Sequence, residues 1–489
     1  MNYKNNTFYG LSIILIVLFP VSAEAASSAG AVTSLDLTFH PVGFISITFF
    51  VLAYAVVICE ECTQLRKSKP VILTAGIIWG LIAYQYSAAG LNDIAVTAFR
   101  QNVLEFTELF LFLLVAMTYV NALDERQVFM GLRTWLVHKS YSYRKLFWII
   151  GGLSFILSPV IDNLTTALVM CAVVLAVGKD NHKFVNLACV NIVVAANAGG
   201  AFSPFGDITT LMVWQKGVVE FQTFFLLFIP SLVNFVVPAA LMHNFVPKGT
   251  PEAGNDRVQL RRGAYVIIFL FICTIVSAVL FHSVLHMPPM LGMMTGLAYL
   301  QFYGYYLKKT HIQTPDDRLD YGHVGDVVPT GKKARPPFDV FGRLARAEWD
   351  TLLFFYGVVL CVGGLGFIGY LSMLSQHIYV DIGPTTANIM IGFISAIVDN
   401  IPVMFAVLTM QPDMPLGQWL LVTLTAGVGG SMLSIGSAAG VALMGQARGL
   451  YTFFTHLKWT PVIIIGYAAS ILTHNWINAH TYLVLAPGG

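Results

Sequence analysis

The sequence predicts an all-α polytopic membrane protein, built from inverted repeats that carry re-entrant hairpins and broken helices. Three observations lead there. Of 489 residues, 56% are hydrophobic and only 11% charged, against roughly 25% charged in a soluble domain, so the chain cannot cover itself with a polar surface. Eight uninterrupted apolar segments are long enough to cross about 30 Å of hydrocarbon, and three more apolar regions are broken by polar or Gly/Pro clusters. The broken regions also recur, in the same order, in the two halves of the chain.

In chain order, residues 1–25 carry one lysine, a short apolar core and a small-x-small end at Ala23 and Ala25, the pattern of a secretory signal peptide. An extra first helix is the alternative; either way the next segment starts outside. The uninterrupted spans are 41–60, 70–89, 103–121, 221–246, 263–285, 288–306, 351–373 and 459–478, and the broken regions are 146–178, 184–214 and 384–445. Lys/Arg-bearing loops at 66–69, 126–145, 179–183, 257–262 and 308–346 belong on the cytoplasmic side. Those loops fit one threading only if 146–178 enters and leaves on that side, as a re-entrant hairpin with "SPVIDN" at its tip. Residues 41–121 are then spans leading into the first repeat, and 122–246 hold its hairpin and broken helix. Scaffold spans occupy 263–306, a Pro-, Gly-, Asp- and Lys-rich cytoplasmic linker 307–349, and the second repeat 350–480.

The repeat rests on three matches. "SPVIDNL" (158–164) pairs with "SAIVDNI" (395–401), "AGGAFSPFGD" (198–207) with "VGGSMLSIGS" (428–437), and, more loosely, "LEFTELF" (104–110) with "AEWDTLLFF" (347–355). The loop charges make span 103–121 run inward and 351–373 outward, so the halves are inverted. Inverted repeats with interrupted helices at matching positions mark a secondary transporter with its site near the membrane midplane.

Non-helical backbone at membrane depth must be satisfied by protein or line a cavity, and Gly-Gly and Ser-Pro elements supply such breaks. Two hairpin tips and two unwound helices are expected to converge on one cavity. Around it lie Ser158, Asp162, Asn163, Thr165, Thr166, Asn197, Ser203, Asp207, Thr209 and Thr210, with Ser395, Asp399, Asn400, Ser431, Ser434 and Ser437 from the second half. This set is rich in oxygen, with at least three carboxylates and no lysine or arginine, and suits a small hard cation. Asp162, Asn163 and Asp207 also precede apolar runs as N-caps do. Capping needs no carboxylate, however, and a charged side chain at the bilayer centre costs roughly 2.5 to 3.5 kcal/mol on insertion scales. Positive helix ends favour an anion, but Asp162 and Asp399 at those ends tip the cavity toward cations. An aspartate that binds either a proton or a cation is the minimal chemistry of antiport.

Other features say less. Glu105 and Glu108 share a helix face near a span start, and Glu108 is a possible proton-path residue; Glu105, Glu348 and Asp350 read as interfacial. "CEEC" (59–62) has metal-site spacing but no second pair, and the remaining cysteines read as apolar fillers. No histidine is assigned. A net charge of +2 gives a nucleic-acid partner no electrostatic support.

The two "DN" tips, "NAGGAFSPFGDITT" (197–210) and "GGSMLSIGSAAG" (429–440) resemble the NhaD-type sodium/proton antiporters of the ion transporter (arsenite/NhaD) superfamily, over nearly the whole chain after the leader. The resemblance implies a fold like that of the superfamily's dicarboxylate transporters. It implies exchange of cytoplasmic Na+ or Li+ for external H+ in a bacterial inner membrane, a role in pH homeostasis, and a homodimer in the lipid bilayer. The superfamily's anion carriers have Ser-Asn-Thr at the tips. Here the tips are Asp162-Asn163-Leu164-Thr165 and Asp399-Asn400-Ile401-Pro402, and Pro402 takes the second tip further from that pattern.

On this reading Asp162 and Asp399 are the main ion and proton carriers, with Na+ at Asp162, Asn163, Asp399 and Asn400. Ser158, Ser395, Asn197, Asp207, Thr209, Thr210, Ser434 and Ser437 supply ligands or hold the breaks open. No resident cofactor is expected, and no catalytic residue. A Na+-coupled dicarboxylate or arsenite carrier on the same fold is the alternative. An intramembrane aspartyl protease is more remote, because the chain has no GxGD motif.

Overall fold

The computed structural model describes residues 35–486 except 64, 140, 179–180, 252–259, 311–341, 343 and 346, and not the side chains of 61 and 62. The leader at 1–25 and most of the 307–349 linker therefore lie outside the described residues, as does the side chain of the second cysteine of "CEEC". All regular structure among the described residues is helical, apart from one isolated antiparallel bridge between Pro415 and Leu485.

Eleven helices build the first half and its scaffold: α1 (Pro41–Ile58), α2 (Ser68–Ala88), α3 (Asn92–Glu125), α4 (Val128–His138), α5 (Tyr143–Ile161), α6 (Asn163–Val177), α7 (His182–Gly200), α8 (Ile208–Gln215), α9 (Phe228–His243), α10 (Ala264–Ser283) and α11 (Pro289–Lys309). The second half supplies α12 (Trp349–Ile368), α13 (Pro384–Ile397), α14 (Asn400–Met410), α15 (Leu416–Gly429), α16 (Ala438–Gln446) and α17 (Thr460–Ile477). Short one-turn and two-turn pieces link several of them.

Length separates two kinds of helix. Among the described residues, eight candidate spans have the length and hydropathy to cross a membrane, one of them α3 with 34 residues, about 51 Å at 1.5 Å per residue. In contrast α6, α13, α14 and α15 have 15, 14, 11 and 14 residues, roughly 17 to 23 Å, and fall short of about 30 Å of hydrocarbon.

The membership of the eight differs from the sequence expectation. Helices α5 and α7 qualify, although the sequence reads them as parts of broken regions. Helices form at α11 and α17 but are not apolar enough to count, because Gly and Tyr dilute α11 and α17 carries Ser470, Thr473, His474 and Asn475. Ser470 and His474 face inward, where His474 Nε2 lies 3.0 Å from Gly417 O.

Burial places the elements. The apolar windows of α7 and α12 are 89% and 72% buried, whereas those of α1 and α10 are only 28% buried and present apolar side chains outward, as lipid-facing helices do. Helix α12 is pinned to α2 by Trp79 Nε1 donating to Leu360 O (2.9 Å). Helix α3 is pinned to the scaffold by Tyr119 Oη donating to Gly296 O (2.7 Å).

Candidate functional site

The site is made where four helices stop. Helix α5 ends at Asp162, whose backbone (φ 80, ψ 157) turns the chain straight into α6. That region of backbone space is nearly reserved for glycine, so the turn is strained and held by its surroundings. Helix α13 likewise gives way to α14 across Val398 and Asp399. Helices α7 and α8 are separated by residues 201–207, and α15 and α16 by residues 430–437.

The breaks are packed alike. A β-carbon on Gly199 would lie 2.4 Å from Phe155 O, and one on Gly429 would lie 2.3 Å from Gly392 O. One on Gly200 would lie 2.7 Å from Gly206 O, and one on Gly430 would lie 2.6 Å from Gly436 O. Each Gly-Gly thus lets a broken helix touch both the arm leading to the tip and its own unwound turn. Two hydroxyls repeat the pattern: Ser158 Oγ donates to Ala196 O (2.6 Å) and Ser395 Oγ to Ala426 O (2.7 Å). Ser158→Ala or Ser395→Ala removes one buried hydrogen bond between the arm and the broken helix, so each is expected to lower stability by about 0.5–1.5 kcal/mol, read as a fall in the melting temperature of purified protein.

Where the breaks meet, one carboxylate gathers the network. Asp207 Oδ1 accepts from Thr209 N (3.0 Å) and Thr209 Oγ1 (3.1 Å), which caps α8. Its other oxygen, Oδ2, accepts from Asn163 Nδ2 (2.8 Å) and from Asn400 Nδ2 (2.9 Å), one asparagine from each tip. Asn163 Nδ2 also reaches Asn197 Oδ1 (3.1 Å), and Asn197 Nδ2 donates to Ser437 Oγ (3.0 Å). Two tips and two broken helices are therefore joined through side chains that are all buried.

Asp162 and Asp399 are placed differently from Asp207 and from each other. Asp162 caps α6, its Oδ1 accepting from Thr165 N (2.8 Å) and its Oδ2 from Thr165 Oγ1 (2.9 Å). Asp399 makes no capping bond to α14. One of its oxygens, Oδ2, lies 3.6 Å from Lys67 Nζ, and the other, Oδ1, is buried without a hydrogen-bond partner. All three aspartates border one cavity of about 90 Å³, room for a few waters at ~30 Å³ each. They do not converge on one point: no three His, Cys, Asp or Glu side chains among the described residues are grouped to hold a metal.

The remaining expected residues divide in the same way. Asn163, Thr165 and Asn400 border the cavity, while Asn197 and Ser437 sit behind it in the asparagine network. Thr209 and Thr210 serve the Asp207 turn, Thr210 Oγ1 donating to Ser203 O (2.7 Å). Ser434 Oγ points away, to Met444 Sδ (3.2 Å). Glu108 does not border the cavity; one turn before it on α3, Glu105 pairs with Lys216 (2.6 Å).

One expectation is corrected. The cavity does have a basic residue, Lys67, brought in from the start of α2. Glu348, read as interfacial, is exposed and also borders the cavity with Thr351, and Asp350 accepts a hydrogen bond from Ser68. The apolar walls from Phe112, Phe205, Phe271 and Phe355 were also not anticipated, since phenylalanines in apolar spans carry no positional signal.

Comparison with known proteins bears on this arrangement. A family model described as a citrate transporter matches residues 13–427. The chain is 58% identical over 482 residues to the Na(+)/H(+) antiporter NhaD of Alkalimonas amylolytica, covering 96% of this chain and 97% of that one. It is 53% identical to the Na(+)/H(+) antiporter NhaD of Vibrio cholerae serotype O1, covering 96% and 99%. The chain belongs to the NhaD antiporter family. More distantly, it is 31% identical to sodium/proton antiporter 1 of Arabidopsis thaliana, over 87% of this chain and 71% of that one. Membership of the NhaD family, with eight helices able to cross a membrane, makes this a multi-pass membrane transporter and not an enzyme.

Proposed function

We propose that the protein exchanges cytoplasmic Na+ or Li+ for external H+, and that Asp207, held between Asn163 and Asn400, is the carboxylate for which the two ions compete. The observation that carries this is the single oxygen, Oδ2, that accepts from both tips. A proton or a Na+ arriving there takes a place now held by an amide donor, so the two ligands exclude one another. A displaced asparagine that turns its amide over presents Oδ1, a hard oxygen ligand for Na+. Ion arrival and tip movement are thereby the same event, which is what coupled exchange requires.

The NhaD relatives support the choice of ions by name. The charge of the cavity supports it by chemistry: Asp162, Asp207, Asp399 and Glu348 face a single lysine, and that lysine is already beside Asp399. An anion carrier is not favoured by that balance.

The short paired helices and matching Gly-Gly packing support two inverted repeats with re-entrant hairpins, moving against a scaffold that includes α10 and α11. Lys67, Glu348 and Thr351 border the cavity and come from segments next to the positive loops, so this conformation opens toward the cytoplasm. A bacterial inner membrane, a cleaved leader at 1–25 and a homodimer complete the proposal.

The test is a pH dye in everted vesicles energised to an acid interior. Dequenching on addition of NaCl or LiCl is expected; no response to either, with the protein present in the membrane, contradicts the reading. Because deprotonation frees the carboxylate, the apparent Na+ affinity is expected to rise with pH. A Na+ half-saturation that is flat or rises with pH speaks against a shared site.

A further inference from the structure

Lys67 borders the cavity, and the exchange reading gives it no part in handling the ions. It precedes α2 and reaches in until its ammonium is 3.6 Å from Asp399 Oδ2 and 4.6 Å from the centroid of the Phe354 ring. Neither end of the pair is solvent-bathed, the side chains being 19% and 14% exposed. The separation is longer than the 2.7–2.9 Å of a charge-assisted hydrogen bond, so the ammonium stands near the carboxylate without being locked to it. The other Asp399 oxygen is buried and unpartnered.

The surroundings hold the lysine near the tip but supply no competing bond to it among the described residues. Ser68, next in the chain, donates to Asp350 in the first turn of α12 and so anchors the start of α2 there. Glu348, just before α12, accepts from Thr351 Oγ1 (3.1 Å) and is exposed at the cavity edge. The other acidic groups facing this space are Asp162, engaged by Thr165, and Asp207, engaged by the asparagines.

We propose that Lys67 is a tethered competitor for the transported cation: its ammonium occupies Asp399 in the empty state, and Na+ displaces it from the second tip on the way to Asp207. The inference rests on the cation/proton exchange reading. It explains why the second tip carries a carboxylate that caps nothing, and it gives the two tips different tasks. Desolvating an aspartate in an empty cavity is costly, and a displaceable ammonium offsets that cost between transport cycles. When Na+ arrives, charge is conserved at the tip, because one cation replaces another and Lys67 withdraws toward the polar end of α2, as long lysine side chains readily do.

The test compares Lys67→Gln and Lys67→Arg with the wild type, first in the vesicle assay. Lys67→Gln is expected to lower the Na+ half-saturation about 1.5- to fivefold, the range a partly exposed ion pair spans. Lys67→Arg keeps the charge and is expected to leave it at the wild-type value or above. An unchanged or raised half-saturation in Lys67→Gln overturns the proposal. If Lys67→Gln does not transport, equilibrium binding of radioactive Na+ to the purified protein decides: tighter binding than wild type supports competition, and equal or weaker binding overturns it. Asp399→Asn supplies the control, since adding Lys67→Gln to it is expected to give no further tightening. Failure of the exchange reading is seen separately, as a wild type that gives no Na+ response.

Discussion

Asp207→Asn is expected to abolish Na+/H+ exchange while leaving the protein inserted in the membrane. The substitution keeps the shape of the side chain, and its Oδ1 can still accept from Thr209 N to cap α8. What it removes is the charge and the shared acceptor. An amide Nδ2 in place of Oδ2 faces two other amide donors, Asn163 Nδ2 and Asn400 Nδ2, and donors do not pair with donors. Buried polar groups left unpaired cost about 1–3 kcal/mol each, so the tips part or rearrange, and no carboxylate remains to choose between a proton and Na+. Transport is expected to fall at least ~100-fold, equivalent to about 2.7 kcal/mol, at equal membrane abundance. Vesicles retaining more than about a tenth of wild-type dequenching at saturating Na+ exclude Asp207 as the shared carboxylate.

Gly199→Ala and Gly429→Ala are expected to be strongly destabilising. At both positions the obstacle is main chain, Phe155 O at 2.4 Å and Gly392 O at 2.3 Å, so no flexible side chain can give way. Each variant must separate a broken helix from the arm leading to its tip, at a cost of about 1–3 kcal/mol or more. Thermal denaturation of detergent-purified protein measures it, as a lower melting temperature for both. Gly76→Ala and Gly152→Ala are the controls, because a β-carbon there meets nothing within 4 Å, and surface-like changes of this kind stay within about 0.5 kcal/mol. Equal melting temperatures for all four would remove the packing explanation for the Gly-Gly breaks.

The breaks were legible because their chemistry is local. Gly-Gly, Ser-Pro and Asp-Asn interrupt apolar runs visibly, and the helices stop within a residue or two of them. The sharing of Asp207 between the two tips was not legible in the same way. Asp162 and Asp399 stand out by recurring at equivalent places, whereas Asp207 matches Ser437 in the second half and looks like the odd one out. Its position as the acceptor for both tips arises only when the two halves cross, which no pattern along the chain records. Lys67 was missed for a related reason. It sits in a run, Arg66–Lys69, that carries a sufficient explanation as a cytoplasmic loop, and only tertiary structure brings it to a tip far along the chain. Long polar side chains with four rotatable bonds are the residues whose destination a sequence constrains least.

Competition between Na+ and a proton for one carboxylate between the two tips is tested most directly, and without a membrane gradient, by adding NaCl to purified protein in a weakly buffered solution at a pH where exchange runs. Na+ and Li+ are expected to acidify the solution in proportion to protein, Asp207→Asn to remove the response, and Lys67→Gln to shift it to lower Na+. A wild type that binds Na+ without releasing protons, or an Asp207→Asn variant that releases them undiminished, would contradict it.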